Sequence, residues 1–104
     1  MNNLNSLLIE GIVGSDPVVT LSEKGTTICS FTLISKRMFK EDGVLQEDIV
    51  TVTIETWARL AELCGEYCTK GRSIRIAGRL KQNMTNGNVG VIAEHIEFKP
   101  IAKN

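Results

Sequence analysis

An alternating run of apolar and polar residues at positions 50–57 places the strongest constraint on how this chain can fold. Successive side chains of a β-strand point to opposite faces, so the pattern predicts a strand with Val50, Val52 and Ile54 on one face. The other face carries threonines, Glu55 and, at its end, Trp57, the only tryptophan of the chain. A large flat ring on a polar face is a poor core residue and is suited to stacking on a nucleic-acid base.

Trp57 also fits a helical pattern. An apolar stripe at helical spacing would begin at Trp57 and continue through Leu60, Ala61, Cys64 and Cys68. The two interpretations differ in burial, because a core tryptophan hides its ring whereas a stacking tryptophan exposes one face. A Trp57 buried in a subunit interface would instead indicate a purely structural oligomerisation module.

The composition indicates one modest folded domain. Of the 104 residues, 42% are hydrophobic and 23% are charged, a balance that favours folding over disorder. We therefore expect a single domain over residues 1–100 and a short C-terminal end over 101–104. No apolar stretch approaches the length of a membrane span, and the N-terminus lacks the pattern of a secretory signal, so we expect a cytoplasmic protein without a membrane partner.

The cysteine and histidine content argues against a disulfide framework, a metal site and catalysis. Three cysteines, an odd number, fit a reducing compartment, and His95 is the only histidine. Cys64 and Cys68 lie four positions apart on a predicted helix, but a zinc site needs a second pair of ligands, so buried apolar cysteines are favoured. No nucleophile–base pair or phosphate-binding glycine loop is present. We expect no enzyme activity, no metal and no cofactor.

Basic residues are grouped, although 12 basic and 12 acidic residues give a net charge of zero. This balance argues against binding duplex DNA by bulk charge alone, yet it permits a local basic track. The groups are Lys36, Arg37 and Lys40, then Lys70, Arg72 and Arg75, and finally Arg79 and Lys81. Phe39, within the first group, is a second candidate for stacking, with packing onto the sheet as the alternative. Arg59, two positions after Trp57, is suited to a phosphate backbone.

The predicted elements are five strands and one helix. In chain order they are strands over 7–13 (continuing over 18–21), 27–37, 50–57, 72–81 and 89–98, with a helix over 57–69 after the third strand. A polar loop is predicted over 40–48 with Asp42-Gly43 at its turn, and Leu63 and Tyr67 are expected to widen the buried helix face. This order predicts an all-β fold with one helix: a five-stranded oligonucleotide/oligosaccharide-binding (OB) barrel with the helix between strands 3 and 4.

Several short motifs occur in an order and spacing that are fairly specific when taken together. They are Asn5 and Gly11, Asp16-Pro17, Gly25, Phe31-Thr32-Leu33, the run from Trp57 through Ala61-Glu62 and Tyr67 to Lys70-Gly71, then Gly78-Arg79-Leu80, and Glu94 and Phe98. In these positions the chain resembles the bacterial single-stranded DNA-binding protein family over nearly its whole length. The resemblance implies an OB fold, a homotetramer built from dimers, and binding of single-stranded DNA without strong sequence preference. It also implies work in DNA replication, recombination or repair, at the nucleoid.

The resemblance also implies roles for particular residues. Trp57 falls on an aromatic stacking position of the family, Phe39 falls near a second one, and Tyr67 falls on a core position. Arg59, Lys70 and Lys81 fall on basic positions that meet the phosphates. With the charge pattern, the predicted site for single-stranded DNA comprises Trp57, Phe39, Arg59, Lys36, Arg37, Lys70, Arg75, Arg79 and Lys81.

The chain departs from the family pattern in ways that predict weaker binding or a smaller site. Thr51 stands where some members carry a second aromatic, and residues 82–87 lack the aromatic often found in the last hairpin. Each lost base–aromatic contact removes about 1–3 kcal/mol per base. The acidic-tipped tail that recruits replication and repair proteins does not occur in this sequence, which leaves those partners open. These departures favour an alternative function, a dimeric replication-restart accessory resembling the primosomal protein PriB, whereas the spacing from Trp57 to Gly78 favours the standard family.

Overall fold

A computed structural model describes residues 1–101 of the chain. The elements are β1 (Leu7–Val13), β2 (Val18–Leu21), β3 (Thr27–Glu41), β4 (Val44–Trp57), α1 (Ala58–Tyr67), β5 (Ser73–Gln82) and β6 (Val89–Phe98). The C-terminal end predicted over 101–104 lies, apart from Ile101, outside the described residues. Within residues 1–101, no helix has both the length and the apolar character needed to cross a membrane.

Five of the strands close into a barrel. β1 pairs with β5 and β5 with β6 in antiparallel ladders, β6 pairs in parallel with β4, β4 pairs with β3, and β3 returns to β1. β2 pairs along β3 next to β1, so β1 and β2 act as two halves of one bent strand. Counted this way, the predicted five-stranded OB barrel is confirmed, with the helix after the third strand, between β4 and β5.

The barrel interior is filled by side chains at alternate positions of the strands. Its fully buried members include Val13, Cys29, Leu33, Ile54, Ile74 and Ile76. All three cysteines are buried and unpaired, as expected of small apolar residues in a core. Burial raises the pKa of the Cys29 thiol, and hydrogen bonding with Cys64 raises that of Cys68, so both thiols stay neutral.

Two glycines allow backbones to approach closely inside the barrel. A Cβ atom on Gly78 would lie 2.1 Å from the carbonyl oxygen of Ile92, and one on Gly11 would lie 2.3 Å from that of Ile34. Gly78 sits at an irregularity of the β5–β6 ladder, where Glu94 is an extra residue between the partners of Ala77 and Gly78. Such a bulge bends the strand and increases its twist, which helps the sheet to close.

Residues 40–48, predicted as a polar loop, instead belong to a long antiparallel ribbon. β3 and β4 remain paired up to Glu41 and Val44, and the turn consists of Asp42 and Gly43, with φ of 52° and 78°. The Asp42-Gly43 turn is therefore confirmed, whereas the predicted loop around it is wrong. Most side chains of this ribbon are exposed on both faces, so no alternation of apolar and polar residues marks it as strand.

The helix buries a narrower face than the sequence suggests. α1 ends at Tyr67, and its fully buried positions are the small residues Ala61 and Cys64. Leu63 and Tyr67 are 41% and 46% exposed, so the expectation that they widen the buried face is wrong. The Tyr67 ring instead meets the ring of Phe98 edge to face, with centroids 6.1 Å apart.

The backbone at the start of α1 is strained and gives a testable prediction. Ala58 has φ of 56°, in the left-handed region that costs a residue with a Cβ atom about 1–2 kcal/mol. Ala58→Gly should therefore raise the free energy of unfolding by about 0.5–1 kcal/mol, after allowing for the greater entropy of glycine in the unfolded chain. Urea denaturation measures the change, and Ala61→Gly in the same helix should lower stability. A loss of stability in Ala58→Gly would contradict the assignment of strain.

Candidate nucleic-acid interface

Trp57 lies on the outer face of the barrel. It is the last residue of β4 and pairs with Ile28 of β3, while its neighbour Thr56 is fully buried and donates a hydrogen bond from Oγ1 to the carbonyl oxygen of Cys29 at 3.0 Å. Because adjacent strand residues face opposite ways, burial of Thr56 directs Trp57 outward. The residue is 37% exposed. The strand interpretation of Trp57 is therefore correct, and the helical stripe starting at Trp57 is wrong.

A carboxylate and an ammonium group converge on the indole ring. Glu55 Oε2 accepts hydrogen bonds from Trp57 Nε1 and from Lys81 Nζ, the latter at 3.3 Å. Lys81 Nζ also lies 5.8 Å from the centroid of the Trp57 ring, within the range of a cation–π interaction. We call Glu55, Trp57 and Lys81 the indole cluster. It combines a flat apolar surface with a cation, which are the two features that single-stranded nucleic acid requires.

Strand pairing brings these three residues together. Lys81 pairs with Gly90 of β6, and Gly90 faces β4, where a Cβ atom would meet the Thr53 carbonyl oxygen at 3.0 Å. The lack of a Cβ atom at Gly90 therefore lets β6 lie close to β4 beside the cluster. The end of β5 is further held by Asn5, whose side-chain amide exchanges two hydrogen bonds of 2.9 Å with the backbone of Leu80.

A groove of about 350 Å³ opens beside the indole cluster. It is lined by Thr53, Glu55, Lys81, Gln82, Asn83, Met84, Asn86, Asn88, Val89, Gly90, Val91 and Ile92. The hairpin loop that forms one wall is shaped by its own amides, because Asn83 Oδ1 accepts from the backbone N–H groups of Thr85 and Asn86 at 2.8 and 3.2 Å. Sequence reasoning missed this groove, since it considered residues 82–87 only for the aromatic that they lack.

Arg75 and Arg79 point outward from β5 on the same face as Lys81, and both are paired with carboxylates. Arg75 Nη2 lies 2.6 Å from Glu10 Oε2, and Arg79 Nε lies 3.8 Å from Glu94 Oε2. Hydrogen bonds from Lys99 and Arg75 lower the pKa of the Glu10 carboxyl, which favours its charged form. Exposed pairs of this kind contribute little to stability, so an incoming phosphate can compete for the same cations.

The β3–β4 ribbon carries Lys36, Arg37 and Phe39, away from the indole cluster. Counting along the ladder from the Ile28–Trp57 pair places Lys36 on the face of Trp57, and Arg37 and Phe39 on the opposite face. The Arg37 guanidinium stands 4.7 Å from the centroid of the Phe39 ring, and it pairs with Asp48 at 3.2 Å. Lys36 pairs with Glu47 at 3.6 Å. The two predicted stacking residues therefore do not share one face.

The two remaining predicted residues flank α1. Arg59 is exposed near the start of the helix, in a shallow depression that it shares with Glu62 and Glu66. Lys70 is exposed in the turn between α1 and β5. The nine predicted residues thus fall into three groups: Trp57, Arg75, Arg79 and Lys81 on the outer sheet face; Lys36, Arg37 and Phe39 on the ribbon; Arg59 and Lys70 beside the helix.

Comparison with known proteins identifies relatives along most of the chain. The model of the Single-strand binding protein family matches residues 4–99. The chain is 35% identical over 86 residues to Single-stranded DNA-binding protein 1 of Chlorobaculum tepidum, in an alignment covering 82% of this chain and 53% of that protein. It is 38% identical over 80 residues to Single-stranded DNA-binding protein 1 of Synechocystis sp., covering 76% and 63%. The chain therefore spans between about half and two thirds of the length of these relatives.

Solved structures share the fold. The wild-type single-stranded DNA binding protein from Thermus aquaticus superposes with a TM-score of 0.80 at 27% identity, covering 93% of this chain and 50% of that one. The Plasmodium falciparum SSB in complex with ssDNA superposes with a TM-score of 0.83, covering 96% and 98%. The sequence identity to the Plasmodium falciparum protein is only 18%, so this similarity supports the barrel fold and not the roles of the site residues.

Proposed function

Because the chain belongs to the single-strand binding protein family, we propose that it binds single-stranded DNA without catalysis and with little sequence preference. One observation carries the proposal beyond family membership: the only tryptophan lies on the outer barrel face with a lysine ammonium 5.8 Å from its ring centroid. Every base has a flat π-face, so stacking on Trp57 tolerates any sequence.

The proposed path of the DNA crosses the outer face of β4, β6 and β5. One base stacks on Trp57, and the adjoining groove receives the neighbouring nucleotide. Lys81 and Arg79 then contact neighbouring phosphates, and Arg75, four residues before Arg79, contacts one further along the strand. Side chains two residues apart on a strand stand about 7 Å apart, which is comparable to the spacing of phosphates in an extended single strand. Arg59, Lys70, Lys36, Arg37 and Phe39 belong to a longer path that continues over the helix and the ribbon.

Titration with oligo-dT at low salt tests this function. Trp57 is the only tryptophan, so intrinsic fluorescence reports stacking on this ring alone, and we expect quenching. The log–log salt dependence of the binding constant should have a slope shallower than about −2, the value for three fully neutralised phosphates at about −0.7 each, because carboxylates already pair with these three cations. A duplex of equal length serves as the control and should bind much more weakly. Absence of both quenching and binding in low salt would contradict the proposal.

We place a second copy of this chain along the exposed edge of β1. Among residues 1–101, β5 pairs with one edge of β1, whereas β3 pairs only with Ile12 and Val13 on the other, so residues 7–11 offer a free edge within this part of the chain. Exposed Leu8 lies on the same strand. Pairing between copies would cover the edge and its apolar surface.

The mass of the assembly distinguishes two functional candidates. A homotetramer fits a general binder in DNA replication, recombination or repair at the nucleoid of the cytoplasm. A homodimer fits the PriB-like replication-restart accessory. This candidate is favoured by the weaker DNA binding expected when most of the predicted basic residues are already paired with carboxylates. We expect a tetramer by light scattering coupled to size exclusion, and a monomer at micromolar concentration would contradict assembly through β1.

A further inference from the structure

Glu55 occupies an unusual place for an acidic residue. Its Oε2 atom takes a hydrogen bond from the Trp57 indole N–H and another from the Lys81 ammonium at 3.3 Å. A phosphate oxygen would seek these same two donors, one neutral and one cationic, because charge-assisted hydrogen bonds to anionic oxygen are the stronger ones. The carboxylate therefore lies where a phosphate oxygen of a bound strand would lie.

The barrel fold does not require this carboxylate. The side chains of Glu55 and Lys81 are 31% and 45% exposed, and surface ion pairs of this kind contribute little to the stability of a fold. The position of the strand is already fixed by Ile54 and Thr56 on either side, both fully buried. Glu55 differs from Glu94, which pairs with Arg79 on the same face, in that Glu55 holds the aromatic ring as well as a cation.

We infer that Glu55 competes with the DNA phosphate for Lys81 and Trp57 and thereby lowers the affinity of the protein for single strands. This inference rests on the proposed function. When DNA arrives, a phosphodiester oxygen takes the Lys81 ammonium and the Glu55 carboxylate turns toward solvent. The unmodified protein then gains little net charge neutralisation at Lys81, because one anion replaces another. Glu55 also repels any phosphate that approaches the groove beside it.

Glu55→Gln tests the inference, because glutamine keeps a carbonyl oxygen for the Trp57 N–H and removes the negative charge. We expect oligo-dT binding at low salt to tighten by about twofold to fivefold, as one exposed charge pair allows. The salt slope should become steeper by about 0.7, the share of one additional phosphate contact on a single strand. Glu23→Gln, in the exposed turn between β2 and β3, makes the same change of net charge and should alter binding less than twofold.

A double variant identifies the cation involved. In a Lys81→Met background, Glu55→Gln should give less than half of its usual gain, since the freed ammonium is missing. Binding by the unmodified chain, with no gain and an unchanged slope in Glu55→Gln, would overturn this inference and leave the proposed function intact. An equal gain in Glu23→Gln would also overturn it, because the effect would then be one of net charge. Failure of the unmodified chain and of Glu55→Gln to bind would overturn the proposed function itself.

Discussion

Replacing Trp57 with alanine should weaken the binding of oligo-dT by about 5-fold to 150-fold, the equivalent of about 1–3 kcal/mol for one stacked base. The ring is partly exposed on the outer face and contributes little to the core, so the free energy of unfolding should fall by only about 1 kcal/mol or less. The variant lacks tryptophan, so fluorescence anisotropy of a dye-labelled oligonucleotide measures its binding. Urea denaturation followed by circular dichroism measures its stability.

Trp57→Phe is the matched control for this experiment. Phenylalanine keeps an aromatic face but lacks the N–H that donates a hydrogen bond to Glu55, so the Trp57→Phe variant should retain most of the affinity for oligo-dT. Tyr67→Ala removes the exposed ring on the helix, which contacts Phe98, and should affect stability more than binding. Unchanged affinity in Trp57→Ala would exclude a stacking role, and a loss of affinity matched by unfolding would assign the residue to the core.

Gly78→Ala should lower the free energy of unfolding by about 3 kcal/mol, at the upper end of the usual cost of overpacking. The added Cβ atom would lie 2.1 Å from the carbonyl oxygen of Ile92 and 3.1 Å from the Cα atom of Ala93. These are backbone atoms, and they cannot swing away as a flexible side chain does. The β5 and β6 strands must separate at this point, which also displaces Lys81 further along β5.

Gly65→Ala provides a control with the same chemical change. Gly65 lies inside α1, where alanine favours the helix by up to about 1 kcal/mol. The atom that its Cβ would meet is Val19 Cγ2 at 2.9 Å, on an exposed side chain that can rotate. Gly65→Ala should therefore stay within about 1 kcal/mol of the unmodified protein in urea denaturation. Equal stability of Gly78→Ala and the unmodified protein would show that the strands relax around the new methyl group.

The sequence predicts the barrel well wherever one strand face is buried. Alternation at residues 50–57 separates buried Ile54 from exposed Trp57, and the Asp42-Gly43 dipeptide marks the turn between β3 and β4. The sequence pattern does not predict the β3–β4 ribbon as strand. Within residues 1–101 most of its side chains are exposed on both faces, so apolar residues do not alternate with polar ones. The pattern also fails at Tyr67, because helical spacing reveals which residues share a face but not how wide a face the barrel covers.

The candidate site is only partly readable from the sequence. The aromatic and the basic residues are recognisable by type, but their grouping depends on strand register. Glu55 and Lys81 are 26 residues apart and meet because β6 lies between β4 and β5 and pairs with both. The parity of the ladder likewise decides that Phe39 faces away from Trp57. Neither fact follows from local spacing, since a shift of one residue would reverse every side chain.

The parallel contact between β4 and β6 gives the barrel a narrow seam. Among the described residues it pairs Ile54 with Val91 and Glu55 with Ile92, and the β1–β3 contact on the other side is equally short. The barrel thus consists of two groups of strands, β1, β5 and β6 in one and β2, β3 and β4 in the other, joined by two short contacts. One of these contacts lies beneath Trp57 and Lys81. A ligand bound across this contact would touch both groups of strands, so binding at the outer face should raise the melting temperature of the whole barrel.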